Sequence, residues 1–448
     1  METSGDNGMD FRHPELWDEP DYIRNKMVHT MTHIYDHGMT TTSGGNMSVT
    51  DSLGNIWITP SGTDKGSLKP DQVVCVAADG IFAGPLRPSM EYPLHREVYI
   101  ARPDIRALIH AHPPLLTSFS IVHRIPDTSV LRAWKEICGE VGYAGYAIPG
   151  TGTMGETVAA EFRKGHDAVI MENHAVVVGG RDLAEALARL ETLEYCARTI
   201  HNAGFIGDVI IPEYARDDRP EPMPGKYVPQ AVRGLQNSRT GGVISAGEEF
   251  LEEEICRMAA RACNREMLYG FCGIVSARST GESYLITREK VLRCTIGKDD
   301  IIKGRGGDDD CVPEEKLHAE IYQKFPAVMA VITARPQYLM AFAVTGKEVN
   351  VRTIPESWLL LQEMPLIPSG ALSLRQERIF EKLTSGIPSV LIANDSVLVT
   401  GDSLLQAFDR LEVAEMTAMS LISGKSLGIV NQISDSNIEE LRRAFSGR

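Results

Sequence analysis

The sequence predicts two tandem α/β/α domains, each with a central, mostly antiparallel sheet flanked by helices. The chain has 448 residues, a length that predicts two or three domains. Segments of its first half recur in the same order in its second half, so both domains should share one fold. In each copy the strand-like runs are grouped, without strict βαβ alternation and without a GxGxxG opening, which disfavours a doubly wound nucleotide-binding fold.

The repeat is clearest where histidine follows leucine. LHREVY begins at residue 94 and LHAEIY at 317, an offset of 223 residues. Two more pairs keep the order and nearly the same offset: ALIHAHP from 107 with AVITARP from 330, and AVIMENHAVVVGG from 168 with SVLIANDSVLVTG from 389.

Each copy should open and close with an amphipathic helix, since apolar residues recur there at helical spacing. The opening helices are marked by Ile23, Met27, Met31 and Ile34 before Gly38, and by Phe250, Ile255, Met258 and Ala262 before Gly270. The closing helices are marked by Leu183, Leu187, Leu190 and Leu193, and by Leu404, Phe408 and Leu411. Between them, residues 55–59 and 283–287 are expected to be strands.

A polar stretch rich in proline separates the copies and lacks helical or strand periodicity, which is typical of an interdomain linker. We therefore expect a first domain over 18–205, a linker over 206–240, a second domain over 241–430 and a C-terminal tail helix over 431–448.

Composition excludes several functional classes. The chain has 45 Lys and Arg against 60 Asp and Glu, a formal charge of -15, which disfavours a protein that binds nucleic-acid backbone. The eight cysteines form no CxxC pair and are interpreted as reduced core thiols. No long apolar run and no basic-then-apolar N-terminus are present, so we expect a cytoplasmic protein without a membrane partner.

HAHPP at 110–114 is the sharpest chemical motif. Residues i and i+2 of a strand face the same side, so His110 and His112 can present two imidazoles to one ion. A single HxH pair also occurs by chance, but His174 in MENHAVVV supplies a third histidine. Three imidazoles leave one position free for water or substrate, which is typical of a catalytic zinc ion.

The second copy is an internal test of this interpretation. Thr333, Arg335 and Asp395 stand at the positions of the three histidines, while the surrounding apolar residues persist. Residues that determine the fold should be shared by the copies. The histidines are therefore expected to serve a site and not the scaffold.

Glu91 in RPSMEYPLH precedes the helix that leads to the histidine strand. It is either an exposed glutamate favoured by the helix dipole or a carboxylate that moves a proton beside a metal. Its counterpart Glu314 keeps the carboxylate without the ligands, which weakens a purely catalytic interpretation. His95 recurs as His318, so we expect it to be structural.

Glycine-rich turns can direct consecutive backbone N–H groups at an anion. Three short motifs have that character: SGGNMS from 43, TPSG from 59 and PS from 88. In the second copy Ile274 stands opposite Asn46, and TREK from 287 replaces TPSG. Anion binding and metal binding are thus expected to have been lost together.

With these motifs in hand, the first copy resembles the class II aldolase/adducin family, which includes fuculose-phosphate and rhamnulose-phosphate aldolases and a ribulose-phosphate 4-epimerase. The resemblance covers residues 20–205 and rests on the ordered motifs GGN, TPSG, PSxE, HxHP and NH. The second copy, 240–430, is similar to the same fold of class II aldolase type with its site erased.

The resemblance implies a role for each motif. His110, His112 and His174 would bind zinc, or another divalent ion, and Glu91 would be the general acid/base. The substrate phosphate would be bound by Asn46, Ser61, Gly62 and Ser89. In the implied reaction of carbohydrate metabolism, zinc chelates the carbonyl and adjacent hydroxyl of a ketose, the C3–C4 bond breaks, and Glu91 shuttles protons to a stabilised enediolate.

Two departures from the family pattern bear on the substrate. Met90 stands where family aldolases commonly have a second serine, and the tyrosine that some members supply from a neighbouring subunit has no match around DTSVLRAW. The family's rings of four domains imply a homo-oligomer, in which two chains form a pseudo-fourfold ring or a larger assembly.

Three functions therefore remain. The first is a zinc-dependent lyase that cleaves or forms a C–C bond of a small sugar phosphate or hydroxy-keto compound. The second is a metal-dependent decarboxylase, dehydratase or epimerase on the same scaffold, although a carboxylate at Glu91 argues against the epimerase. The third is a non-enzymatic assembly protein, as adducin-type members are; three ligands beside a carboxylate disfavour it.

Overall fold

Two sheets with the same strand order form the centres of two structural units. The computed structural model describes residues 11, 13, 16–212, 246–281, 283–305, 313–384 and 386–445. The first unit comprises residues 1–128 and 133–201, and the second comprises 129–132 and 202–448. Most of the linker expected over 206–240 lies outside the described residues, as does Cys311.

The first sheet has seven strands in the order β3-β2-β1-β4-β7-β6-β5. Its strands are β1 (Asn46–Thr50), β2 (Ile56–Ile58), β3 (Val74–Val76), β4 (Ala107–Ala111), β5 (Val141–Ala144), β6 (Ala168–Met171) and β7 (Val176–Gly180). Every neighbouring pair is antiparallel except β5 with β6. The mostly antiparallel sheet predicted for this copy is thereby confirmed.

Helices flank this sheet and complete its core. They are α1 (Pro20–Asp36), α2 (Tyr92–Ala101), α3 (Pro114–Ile121), α4 (Arg132–Cys138), α5 (Gly152–Arg163) and α6 (Leu183–Ala203). The apolar residues that predicted the opening and closing helices are buried. Gly38 follows α1 with a φ of +65°, the left-handed conformation that commonly ends a helix.

The second sheet repeats this order as β10-β9-β8-β11-β14-β13-β12, again with one parallel pair, β12 with β13. Its strands are β8 (Ile274–Arg278), β9 (Ser283–Thr287), β10 (Ile301–Arg305), β11 (Ala330–Ala334), β12 (Leu366–Ile367), β13 (Ser389–Ile392) and β14 (Ser396–Gly401). The duplication read from the sequence is therefore present in the strand topology.

The helices of the second unit follow the same plan, with additions near the C-terminus. They are α7 (Ala246–Asn264), α8 (Pro313–Lys324), α9 (Gln337–Thr345), α10 (Pro355–Leu361), α11 (Ala371–Leu374), α12 (Glu377–Lys382), α13 (Leu404–Leu427) and α14 (Asp435–Phe445). Phe250 corrects one detail of the predicted α7 face, because its side chain is 64% exposed whereas Ile255 is buried.

Two negative findings hold for the described part of the chain. None of its helices is both long and apolar enough to cross a membrane. Its seven cysteines are all free thiols, four of them buried.

Candidate metal centre

Three histidines of the first unit converge because two strand ends meet. His110 lies in β4, His112 follows the last residue of that strand, and His174 lies in the tight turn between β6 and β7. Asn173 gives this turn its shape with a φ of +53°, a left-handed conformation that asparagine tolerates better than most residues. Asn394, in the matching turn of the second unit, has the same φ.

The imidazole nitrogens are close enough to share one ion. One ligand nitrogen from each of His110, His112 and His174 lies within 4.8 Å of the other two. The Nε2 atoms of His110 and His112 are 3.1 Å apart. Two imidazole nitrogens that share a tetrahedral zinc ion lie about 3.3 Å apart, so this spacing fits a metal.

Hydrogen bonding directs His110 into the cluster. Its Nδ1 is 3.0 Å from the carbonyl oxygen of Val176, so Nδ1 must carry the proton and donate. Its Nε2 atom then points to His112 and to a carboxylate oxygen of Glu91, each 3.1 Å away. Several acceptors directed at one point are satisfied by a bound cation, and a backbone carbonyl behind a ligand histidine is a usual second partner.

Burial favours the neutral form of the other two histidines, His112 and His174. The pKa of His112 falls to about 4 because its ring is buried and lies beside His110 and His174. Burial, and then the neighbouring His110, also lowers the pKa of His174. Both rings are therefore neutral near pH 7, the form that a metal ion requires.

Glu91 is a buried carboxylate beside these rings. It precedes the first turn of α2, and its Oε1 lies 3.6 Å from Nε2 of His174. Burial alone raises the pKa of Glu91, but His110, the amide of Asn46 and His174 together outweigh that effect and lower it. The interpretation of Glu91 as an exposed glutamate favoured by the helix dipole is therefore wrong, since this residue is only 8% exposed.

Asn46 faces the cluster from the neighbouring strand. It pairs with His110 across β1 and β4, and its side-chain Nδ2 donates to Oε2 of Glu91 at 2.6 Å. The glycine turn before it packs closely on the histidine strand, because a Cβ on Gly45 would lie 2.7 Å from the carbonyl oxygen of His110. A larger residue there would force the turn away from the site.

The two serine motifs lie side by side. The backbone N–H of Ser89 donates to the carbonyl of Thr59, and that of Ser61 donates to the carbonyl of Arg87. Ser89 is buried, and its hydroxyl accepts from the N–H of Glu91. Gly62 is exposed with a φ of +68°. Asn46, Ser89 and Glu91 are therefore in direct contact with one another or with the cluster, whereas Ser61 is joined to the Ser89 segment through its bond to the carbonyl of Arg87.

Lys65 is a buried residue near this turn that the sequence analysis missed. Its ammonium donates to the carbonyl of Pro60 at 3.0 Å, and burial lowers its pKa. In the second unit Arg293 is equally buried and donates to the carbonyl of Arg288, so a buried cation supports the same turn in both copies. The only available signal was a basic residue at the same place in each repeat.

The family of the chain follows from a profile match over both copies. The family described as "Class II Aldolase and Adducin N-terminal domain" matches residues 25–201 and again 253–422, together most of the chain. The chain belongs to the class II aldolase and adducin family. The resemblance read from sequence and the tandem class II aldolase fold are thereby confirmed.

Relatives within this family have related activities. A 3-oxo-tetronate 4-phosphate decarboxylase of Escherichia coli K12 is 30% identical over 41% of this chain and 87% of its own length. An L-fuculose phosphate aldolase of Methanocaldococcus jannaschii is 32% identical over 37% of this chain and 88% of its own. The solved L-fuculose-1-phosphate aldolase of Thermus thermophilus is 26% identical, covers 43% of this chain and 99% of its own, and has a TM-score of 0.36.

The second class II aldolase domain has an ion-pair cluster in place of the histidines. The guanidinium of Arg335 bonds Glu314 and lies 3.6 Å from Asp395. Burial lowers the pKa of Arg335, but the two carboxylates outweigh it and raise that pKa. Burial raises the pKa of Asp395 to about 6 although Arg335 acts against it. A side-chain cation thus lies beside two carboxylates where the first domain has its three histidines.

The motif expected from sequence to bind an anion is replaced as well. Thr59 and Thr287 each accept from a backbone N–H of the neighbouring strand, which aligns Ser61 with Glu289 two residues later. Burial, and then the carboxylate of Glu314, raises the pKa of Glu289 to about 7. Ile274 lies across from Thr333 as Asn46 lies across from His110.

Proposed function

We propose that the first domain is a metal-dependent lyase of the class II aldolase type that cleaves or forms a C–C bond of a small phosphorylated sugar or hydroxy-keto compound. The observation that carries this proposal is the convergence of His110, His112 and His174 beside the buried carboxylate of Glu91. The second domain retains the fold without the histidines, which supports assigning them to chemistry.

The histidine cluster would hold zinc or another divalent ion. Such an ion, when bound, supplies a Lewis acid that draws electron density from a substrate carbonyl oxygen. His110 is oriented for binding by the carbonyl of Val176, and neutral His112 and His174 offer lone pairs. Three protein ligands leave room for substrate oxygens.

Glu91 is suited to move the proton that the reaction needs. Cleavage of a C–C bond next to a carbonyl leaves an electron pair on the adjacent carbon, which must then accept a proton. Asn46 occupies Oε2 of Glu91 by donating to it, whereas Oε1 faces His174 at 3.6 Å. The lowered pKa keeps the Glu91 carboxylate ionised, so in retro-aldol cleavage it can take the proton that the hydroxyl of the departing aldehyde loses and deliver it to that carbon.

We propose that Asn46, Ser61, Gly62 and Ser89 bind the substrate phosphate. Ser61 is partly exposed and Gly62 is exposed, and the buried ammonium of Lys65 donates to the carbonyl of Pro60 next to them. Met90, which is 73% exposed, does not supply the hydroxyl that a second serine would.

Decarboxylation is the second candidate, and a specific observation favours it. The decarboxylase of E. coli and the aldolase of M. jannaschii are similar to this chain at 30% and 32% identity. Loss of carbon dioxide from a 3-oxo acid and retro-aldol cleavage both leave the electron pair next to a carbonyl. The same residues could therefore serve either reaction.

A single product assay tests both candidates. By bond counting, L-fuculose 1-phosphate, 5-deoxy-D-ribulose 1-phosphate and 3-oxo-tetronate 4-phosphate all release dihydroxyacetone phosphate when cleaved. We expect protein purified without chelators to contain a divalent metal, measured by elemental analysis, and to release this product from at least one of them. Release of carbon dioxide identifies the decarboxylase.

The control is a matched pair of variants. His112→Ala should lose both the metal and turnover, whereas Arg335→Ala should keep both and change only stability. If the folded protein contains no metal and cleaves none of the three phosphorylated compounds, the result would favour the adducin-like assembly role instead. The homo-oligomer implied by the family stays a prediction, and a monomer in sedimentation at working concentration would contradict it.

A further inference from the structure

A continuous line of hydrogen bonds leads from the scaffold to Glu91. The Tyr99 hydroxyl lies 2.7 Å from Oγ of Ser48, and that Oγ lies 2.6 Å from Nδ1 of His95. Nε2 of His95 lies 2.5 Å from Oδ1 of Asn46, whose Nδ2 donates to Glu91. Ser48, His95, Asn46 and Glu91 are all buried, so water does not compete for these bonds.

The direction of each bond follows from the last one. An ionised carboxylate only accepts, so Asn46 must present its NH₂ group to Glu91 and its carbonyl oxygen to His95. Nε2 of His95 must therefore donate. Burial lowers the pKa of His95 to about 3, so the ring is neutral and its Nδ1 accepts from the Ser48 hydroxyl. No member can be reversed without setting two acceptors against each other.

The second domain has the beginning of this line but not its end. Ser276 lies between His318 and Tyr322 at 2.7 and 2.8 Å, as Ser48 lies between His95 and Tyr99. Nε2 of His318 then meets Oγ1 of Thr333 at 2.7 Å. Ile274 takes the place of Asn46, so the line never reaches Glu314. The Ser–His–Tyr portion is shared scaffold, whereas the link through Asn46 occurs only beside the histidine cluster.

We infer that His95 is a positioning residue that acts through Asn46 on Glu91. Its Nε2–H fixes the amide of Asn46, and the amide holds Oε2 of Glu91 so that Oε1 is left for proton transfer. This inference rests on the proposed function and deepens it. It also gives Asn46 a second role, holding Glu91, besides the proposed contact with phosphate.

The test compares two replacements of His95. In His95→Gln the Nε2 donor stays near its original place, whereas in His95→Asn the side chain keeps an acceptor for Ser48 but is too short to reach Asn46. We expect His95→Asn to bind metal normally, to lose at least about tenfold in kcat and to change KM by less than about twofold, since misplacing a catalytic group lowers turnover. His95→Gln should recover most of the loss.

His318→Asn and His318→Gln are the matched controls, because they alter the same Ser–His–Tyr surroundings in the second domain. Both should keep the wild-type kcat. If His95→Asn does not fold, Ser48→Ala removes the hydroxyl that orients Nδ1 of His95 and should lower kcat severalfold, whereas Ser276→Ala should leave it unchanged.

Three results would overturn the inference. They are an unchanged kcat in folded, metal-loaded His95→Asn, equal losses in both His95 variants, or a rise in KM alone, which would assign Asn46 to phosphate binding only. Crystal structures of the two His95 variants separate failure of this inference from failure of the proposed function. Even without turnover, the contact of Asn46 Nδ2 with Glu91 should be lost in His95→Asn and retained in His95→Gln.

Discussion

At the scale of single residues, Glu91 and Glu314 occupy equivalent positions but have different neighbours. Glu91 lies beside His110 and His174 and accepts from Asn46. Glu314 bonds the guanidinium of Arg335. A carboxylate beside imidazoles can exchange a proton, whereas removing one partner of a buried ion pair destabilises the fold.

Replacing each glutamate by glutamine should separate these roles. Glu91→Gln keeps the shape and still accepts from Asn46, but it can no longer take up a proton. We expect metal content and stability close to wild type and a fall in kcat of about 10²- to 10⁴-fold, the usual range for an acid/base group.

Glu314→Gln should do the opposite, because it weakens the pairing of Arg335 without touching the histidines. Its kcat should match wild type while its thermal midpoint falls. Full turnover in metal-loaded Glu91→Gln would remove this carboxylate from the mechanism.

At the scale of elements, one buried histidine in each domain links a helix to the central sheet. His95 in α2 bonds Ser48 in β1, and His318 in α8 bonds Ser276 in β8. Burial lowers the pKa of His318 to about 3. The same arrangement in both copies indicates that this link belongs to the fold.

The link makes stability depend on pH. An unfolded histidine titrates near pH 6.5, so between pH 6.5 and about 3 the unfolded chain binds a proton that folded His318 does not. The free energy of unfolding should therefore fall as pH drops through this window, by up to about 1.4 kcal/mol per pH unit from this residue. Above pH 6.5 the contribution is constant.

His318→Gln removes this titration and provides the control. Denaturation at pH 7, 6 and 5 should give a shallower dependence for the variant than for wild type, even though the variant is less stable at pH 7. Identical slopes would show that His318 becomes protonated without unfolding.

Much of this element level could be predicted from sequence, because apolar spacing and the internal repeat report on neighbours within the chain. Ile23, Met27 and Met31 are buried as their helical spacing indicated, and β9 spans the expected 283–287. Phe250 satisfied the same spacing but lies at the exposed edge of the α7 face, since periodicity does not say how wide a buried face is.

Links between distant side chains could not be predicted in this way. The family resemblance implies that Asn46 binds phosphate, yet its amide also donates to Glu91, 45 residues later. The repeat revealed that Arg335 replaces a histidine. The guanidinium of Arg335 lies close to both Glu314 and Asp395. Sequence spacing does not encode these distances, because they arise only in the folded chain.

At the scale of the whole molecule, one fold carries two solutions to the same electrostatic problem. Each class II aldolase domain directs electron-rich groups at one point at the ends of its central strands. In the first domain these are three imidazoles and Glu91, which suit a bound metal ion. In the second they are Glu314 and Asp395, and Arg335 supplies the positive charge.

Restoring the histidines should therefore restore a metal site. We expect wild-type protein to bind one divalent ion per chain, and the variant Thr333→His, Arg335→His and Asp395→His to bind a second one. The sheet frame that holds His110 relative to its neighbours is repeated around Thr333, and the cation would replace the charge lost with Arg335. Elemental analysis after dialysis, with zinc-dependent thermal stabilisation, measures both. Arg335→His alone is the control and should still bind one ion per chain, because it offers only one new ligand.

Two results would contradict this prediction. A folded triple variant that still binds one ion would mean that the strands of the second domain no longer hold the three positions close enough to form the site. Two ions in the wild-type chain would contradict the assignment of Arg335 as the built-in cation.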